Sequence, residues 1–551
     1  MNRLKAVFFK NKIAKIFLKR ICTLLGVGLF CFFIYSLWQP YFYDPPLIVD
    51  EAFYGETALR FLDGDFAYRD NKPPGIFLLY ASFASVFGAH SYTFVHICAC
   101  LTVIATSIVL YFAMRIFSGT LTAFLGFVFY LLLPVLSFSP ANFFAANTEI
   151  FLMFFSCLSL LIFLKSESNK IGLFISGILC AFGFLFKPQG ILTGTLLCGF
   201  HSYRLLTQSI FSIKRTFFEL SVIIGGFIAG LVPCVLFFGK HLGFDMLFYN
   251  IFGANASFFT GDIDIVNGFI FGFKKTLNLL EYSTHWDRKA LFYAIALLQF
   301  CIFCISLFRK HISKNDSHKT AVFWIAWSIV SFISLSAGFR FSGHYFYMVY
   351  PAIAGLCAFF WTGIIKQCCS VEIHPFCARI ILTGCSVILF TGMIAYPLFF
   401  YTGFPFGTKR LYSYLLLPES SGETLRMASY YLNAHTKPSD TLFVWGFAPE
   451  VYALSRRRCA SRYVICNYLV GDVSPFLKGV KRDTATQRFW QELFSDLLAN
   501  QPQYIIDTAP LNYLGFGTHP LEAYPELLQY IKKQYSLDKE IGTLKLYRRK
   551  Q

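Results

Sequence analysis

The sequence predicts an all-α polytopic membrane protein that carries a small α/β domain at its C-terminal end. Three observations lead there. The 551 residues are 56% hydrophobic and only 14% charged, against about 25% charged in an ordinary soluble domain. Uncharged apolar runs recur at lengths near the roughly 20 residues that cross a hydrocarbon layer about 30 Å thick. From about residue 402 the pattern changes to short apolar runs alternating with polar helical stretches, as in a small α/β unit.

The N-terminal 20 residues, MNRLKAVFFKNKIAKIFLKR, hold seven Lys/Arg and no acid. Positive flanks stay cytoplasmic, so residues 1–20 are read as a basic cytoplasmic segment. Residues 21–38, ICTLLGVGLFCFFIYSLW, follow without a charge, and only QPYFYDPP comes next. With no small-residue cleavage site there, the run is expected to be an uncleaved first span. Further spans are expected near 92–116, 120–139, 149–165, 171–186, 189–206, 217–238, 289–308, 320–337, 345–366 and 379–401, about eleven in all.

Segment 74–89, GIFLLYASFASVFGAH, is apolar but short for a span. Charge bias decides its placement. If it does not cross, the loops with Lys165/Lys170, Arg204/Lys214/Arg215, Arg309/Lys310/Lys314/Lys319 and Lys366/Arg379 share the side of the basic N-terminus. An odd number of crossings then puts residues 402–551 outside, facing the first outer loop, 40–91. The expected location is the cytoplasmic (inner) membrane, with the N-terminus cytoplasmic and the C-terminal domain periplasmic.

In the C-terminal part, TLFVWG (441–446), SRYVIC (461–466) and QYIIDT (503–508) read as short buried strands of a mainly parallel sheet, and 486–501 as a helix ending before Pro502. Arg456, Arg457, Arg458 and Arg462 form a basic stretch, read first as a solvated turn and otherwise as a surface for anionic headgroups. Cys459 and Cys466 lie close enough in sequence to pair or to remain a free buried pair. The net charge of +18 follows the ends of apolar runs, with no nucleic-acid motif, so no nucleic-acid partner is expected. A Walker loop and a G-x-G-x-x-G fingerprint are both lacking, which argues against a nucleotide donor.

Four polar clusters remain. Asp50 and Glu51 with Tyr54 lie among seven acids between positions 44 and 70; on a helix Asp50 and Tyr54 share a face, while Glu51 points about 100° away. Arg69-Asp70-Asn71-Lys72-Pro73-Pro74-Gly75 sets a Lys before rigid backbone. Glu149 opens one span, and Lys187 sits in a loop too short to carry it far from the bilayer, where an unpaired charge is costly. Arg340, His344 and Tyr345 precede Pro351. Each cluster also has a plain structural account: loop acids obeying charge bias, a snorkelling Lys, a Glu149–Lys187 ion pair, an interfacial His.

The order DEAFY, YRDNKPPG, NTE, FKPQG, RFSGHYFYMVYP resembles the GT-C glycosyltransferases related to bacterial protein O-mannosyltransferases and lipid A aminoarabinose transferases. The resemblance covers roughly 20–400, and more loosely VWGFAPEVYALSRRRCASRY at 444–463. It implies a polytopic helical domain, 21–401, with an outer cavity. The donor would be a polyprenyl-phosphate sugar, the acceptor an envelope glycan, lipid or protein, and the usual outcome inversion at C1. It also implies a catalytic carboxylate at Asp50 with Glu51 beside it, donor-phosphate contacts at Lys72, Lys187 and Arg340, and supporting roles for Tyr54, Arg69, Glu149, His344 and Tyr345.

The inventory suits that chemistry by itself. A polyprenyl phosphate leaves as a stable anion, so one carboxylate base and phosphate-binding cations suffice. No cofactor is expected; a divalent metal on Asp50, Glu51 and Glu149 would suit hard carboxylates, but the sequence does not require it. The rival functions are a transporter or flippase of a lipid-linked glycan, which would favour repeated halves and mid-membrane ionisable groups, and an envelope scaffold.

Overall fold

The computed structural model describes Gly28, Tyr35, Trp38, Phe42 and residues 46–133, 144–166, 169–207, 212–253, 316–336, 343–370, 419–471 and 487–551. The helices are α1 (Val49–Leu62), α2 (Gly75–Phe87), α3 (Thr93–Ser118), α4 (Thr120–Leu132), α5 (Thr148–Ser166), α6 (Lys170–Phe186), α7 (Ile191–Leu206), α8 (Ile213–Leu242), α9 (Asp316–Ser336), α10 (Tyr350–Ser370) and α11 (Glu419–His435). Eight of the expected spans thus coincide with a helix in whole or part; those at 289–308 and 379–401, and all but three residues of 21–38, lie outside the described residues.

Three of these helices, α3, α5 and α8, are long and apolar enough to cross a membrane, and α2, α4, α6 and part of α9 are shorter apolar helices. The 13 residues of α2 rise about 20 Å at 1.5 Å each, less than a hydrocarbon thickness of about 30 Å. Pro351 does not interrupt a span: it occupies the first turn of α10, where a missing N–H costs nothing. The expected helix start at 345 instead becomes a 3₁₀ turn, Gly343–Met348.

Local sequence explains how two polar turns meet. Lys187 ends α6 in an extended conformation because Pro188 follows, and the chain turns through Pro188–Gly190 into α7. Gly190 lies against the backbone of Gly183 and Phe184, and Gly75 against the carbonyl of Leu185; a Cβ at either position would collide with main chain. These two glycines let the KPPG turn seat directly on the end of α6, beside the KPQG turn.

The C-terminal part contains β1 (Thr441–Trp445), α12 (Glu450–Ser455), β2 (Arg458–Cys459), α13 (Gln487–Asn500), β3 (Tyr504–Asp507), α14 (Pro525–Gln534), β4 (Tyr535–Ile541) and β5 (Leu544–Arg549). They form one five-stranded sheet in the order β2-β1-β3-β5-β4. β1 pairs in parallel with β2 and β3, whereas β5 runs antiparallel to both β3 and β4. The expectation of a mainly parallel sheet therefore holds for one half only. Residues 461–466 are not a strand; the edge strand is Arg458–Cys459, and the apolar residues Tyr463, Val464 and Cys466 are buried in the turns that follow. The β4–β5 hairpin escaped the sequence reading because β4 carries exposed charged residues and only its ends are buried.

Candidate active site

Asp50 and Glu51 stand in the first turn of α1, yet their surroundings differ completely. The Asp50 side chain is 38% exposed, and Glu51 is fully buried. Glu51 Oε2 accepts the Leu47 N–H at 2.7 Å, and Oε1 accepts the Ala146 N–H at 2.5 Å. The Tyr80 hydroxyl donates to Oε1 at 3.3 Å and His96 Nε2 lies 3.0 Å away. Glu51 thereby joins α1, α2, α3 and the segment before α5. A buried carboxylate with this many partners holds helices together.

Asp50 faces a different set. His344 Nε2, from the 3₁₀ turn before α10, lies 3.9 Å from Asp50 Oδ2 and 3.9 Å from Glu149 Oε1. Burial lowers the His344 pKa below its ordinary value, with the nearby carboxylates opposing that shift, so the imidazole is neutral at pH 7. Lys187 donates to Glu149 Oε1, and its ammonium stands 3.3 Å from the centroid of the Tyr345 ring. Lys72 Nζ lies 3.3 Å from Asp70 Oδ2 and 5.2 Å from the centroid of the Tyr54 ring. Burial raises the Asp70 pKa, against the pull of Lys72.

Asp50, Tyr54, Lys72, Glu149, Lys187, His344 and Tyr345 are thus brought into one region, and Tyr54 is buried between α1 and α2, in edge contact with Tyr80. Arg340 lies outside the described residues. Arg69 turns away: its guanidinium grips Glu492 of α13, with Nη2 2.7 Å from both carboxylate oxygens and Nε 3.1 Å from Oε2. The Tyr463 hydroxyl donates to the same Glu492 at 2.7 Å.

Much of the acidic loop is likewise committed to the C-terminal domain or to its own cations. Glu56 Oε1 accepts the Cys459 N–H at 2.7 Å and Arg458 Nε at 3.3 Å. Arg458 also pairs with Asp63 at 2.7 Å, and Arg60 pairs with Asp65. This corrects two expectations. Glu51, Glu56 and Asp70 are buried and not solvated loop acids, and in the Arg456–458 stretch only Arg456 is exposed. Arg457 donates to the carbonyls of Asn433 and Thr436 at the end of α11, and Arg462 binds Asp496 at 2.8 Å. Cys459 and Cys466 are buried free thiols.

Glu56, His96, Tyr80, Glu492 and Glu450 were absent from the sequence reading. Only Glu56 carried a signal, its place one helical turn beyond Ala52 on the same face of α1. Among the described residues no cluster of three His, Cys, Asp or Glu side chains is arranged to hold a metal ion.

Residues 71–235 match the family model described as dolichyl-phosphate-mannose-protein mannosyltransferase, a stretch that contains Lys72, Glu149 and Lys187. No curated protein matches the sequence. Among solved structures, ArnT from Cupriavidus metallidurans in the apo state is 12% identical, covers 95% of this chain and 98% of its own, and superposes with a TM-score of 0.56. The same protein bound to undecaprenyl phosphate gives 13% identity, 94% and 98% coverage and a TM-score of 0.54. Oligosaccharyltransferase AglB from Archaeoglobus fulgidus, in complex with an inhibitory peptide and a dolichol-phosphate, is 12% identical over 91% of this chain and 70% of its own, with a TM-score of 0.47. The ArnT likeness shows the fold. The chain resembles the GT-C membrane glycosyltransferases in that fold and, across 71–235, in sequence.

Proposed function

We propose that this protein is an inverting glycosyltransferase that moves a sugar from a polyprenyl-phosphate donor to an envelope acceptor. The observation that carries the reading is Asp50: a partly exposed carboxylate next to two Lys-Pro turns, one buried and one half-buried, whose cations already have protein partners. An acceptor hydroxyl attacks C1 of the sugar while its proton passes to Asp50. The bond from C1 to the phosphate oxygen breaks, and polyprenyl phosphate departs with the electron pair. Lys72 and Arg340 offset the charge that develops on the phosphate, and Lys187, whose ammonium has three N–H donors, retains capacity beyond Glu149.

His344, neutral and near both carboxylates, orients Asp50, and Tyr54 and Tyr345 give Lys72 and Lys187 their aromatic faces. Glu51 supports the base by holding α1. A divalent metal is not part of this reading: Glu51 and Glu149 already spend their oxygens on protein donors. The reading keeps eleven crossings, a cytoplasmic N-terminus, and a site and C-terminal domain on the outer face of the cytoplasmic membrane, following the distribution of Lys and Arg.

The test uses purified full-length protein, a polyprenyl-phosphate sugar and an extract of envelope acceptors. Loss of a general base lowers rates by about 100- to 10,000-fold, so a folded Asp50→Asn variant should fall at least 100-fold in transfer. Full activity in that variant, or no transfer by the wild type, ends the proposal.

A further inference from the structure

Arg69 turns away from Asp50, yet the segment it anchors is the one that presents Lys72. Its guanidinium, in a residue only 4% exposed, is held on both sides. Nη2 and Nε grip Glu492 of α13 at 2.7 and 3.1 Å, while Nη1 donates to the Tyr68 carbonyl at 3.0 Å. That carbonyl also accepts the Asn250 side-chain amide at 3.2 Å, from the turn Tyr249–Gly253 that follows α8. The Tyr68 hydroxyl then reaches forward and donates to the Lys72 carbonyl at 3.1 Å.

Hydrogen bonds therefore lead from the C-terminal domain to the lysine through Glu492, Arg69, Tyr68 and Lys72. Asp70 closes the turn from inside: Oδ1 accepts the Asn71 N–H at 2.7 Å, and Oδ2 lies 3.3 Å from Lys72 Nζ. Beyond Lys72 the chain is held by shape instead, with Gly75 against the Leu185 carbonyl of α6. One end of the turn is packed on α6; the other is tied by charge to α13.

Glu492 is built as an anchor. It also accepts the Tyr463 hydroxyl at 2.7 Å and Arg488 Nε at 3.2 Å, and Arg488 pairs with Asp245 at 3.2 Å. Burial opposes its charge, but Tyr463 and Arg69 hold its carboxyl below the ordinary range, so it is ionised at pH 7. An arginine fork on a carboxylate fixes direction as well as distance. Such fixing matters for a group that meets a ligand, because a misplacement of about 1 Å costs up to about 100-fold in rate.

We propose that Glu492 is a positioning residue for the donor-phosphate contact: through Arg69 and Tyr68 it sets the place of Lys72. The C-terminal domain thereby takes part in donor binding without touching the donor. This rests on the glycosyltransferase reading, in which Lys72 meets the phosphate.

The experiment measures equilibrium binding of a sugar-free polyprenyl phosphate to full-length protein in detergent, for wild type, Glu492→Gln, Lys72→Ala and the double variant. Glu492→Gln should weaken binding roughly three- to tenfold, the equivalent of one hydrogen bond. In the transfer assay it should leave the half-saturating envelope extract within about twofold, as for an independent site. In the Lys72→Ala background the same substitution should change polyprenyl-phosphate binding no further. A general loosening of the fold weakens both backgrounds by the same factor; that additivity overturns the inference, as does wild-type binding by a folded Glu492→Gln. If Glu492→Gln does not fold, Arg69→Lys, which keeps the charge but not the fork, completes the same cycle with the same expected outcomes.

Sugar transfer by the wild type separates the two claims. A non-additive cycle in a protein that never transfers sugar keeps Glu492 as a positioning residue for a lipid phosphate and removes the glycosyltransferase reading. An additive cycle in an active enzyme does the reverse.

Discussion

The two Lys-Pro turns start from nearly the same sequence, NKPPG at 71–75 and FKPQG at 186–190, and end in different electrostatic states. Lys187 is enclosed, bound to a fully buried Glu149 and laid over Tyr345. Lys72 keeps 17% of its side chain exposed and pairs with Asp70, which its own burial disposes toward the neutral form. A proline after a lysine fixes where the backbone goes. The acid that meets the ammonium decides whether the charge is spent on holding helices together or stays partly available to a ligand.

The comparison can be broken most directly at Lys187. Removing one member of a buried ion pair costs about 3–5 kcal/mol, so Lys187→Ala should lower the thermal unfolding midpoint in detergent sharply, and Lys187→Ala with Glu149→Gln should recover most of it. A Lys187→Ala protein that is fully stable but poor in donor binding would make this lysine equivalent to Lys72. For Lys72 itself, loss of a charge-assisted contact of about 1.5–3 kcal/mol predicts a donor half-saturation roughly 10- to 100-fold higher in Lys72→Ala, with little change in unfolding. An unchanged donor titration would remove Lys72 from the phosphate site.

Asp70 supplies the smallest and most discriminating effect. Its folded pKa is raised by burial, so its protonated form is favoured by folding. That contribution is complete below the ordinary aspartate range and is lost as pH rises through the folded pKa. Asp70→Asn should therefore stabilise the protein at pH 7, with the gain vanishing near pH 4. It should also tighten donor binding several-fold by withdrawing the counter-charge of Lys72. Equal stability of the variant and wild type across that interval would mean that Asp70 is solvated in the working protein.

The sequence made the helical part legible because an apolar run of about 20 residues has one low-energy solution in lipid. Asp50, Lys72, Glu149, Lys187, His344 and Tyr345 could be gathered for a related reason: few polar residues are tolerated there, and each stands out. The sheet domain was harder. Short runs such as SRYVIC at 461–466 satisfy strand preferences as well as TLFVWG does, and only the packing of Cys466 under β1 distinguishes a buried turn from a strand. Least legible were Glu492 and the partners of Glu56 and Arg69. Their meaning depends on which domain surface meets which loop, and nothing local in a sequence encodes a partner some 400 positions away.

That separation has a consequence for how the protein is made. Arg69 waits for Glu492, 423 positions later, and Glu56 for the Cys459 N–H, 403 positions later. At a synthesis rate of about 5–20 residues per second, the interval is roughly 20 to 85 s. Throughout it the helix that bears Asp50 is already emerging, while the strand and helix that anchor it have not been translated. The nascent chain thus carries this helix on its Glu51 contacts alone through most of its own birth, and the contacts of Glu56 and Arg69 close only when the last quarter of the polypeptide has arrived.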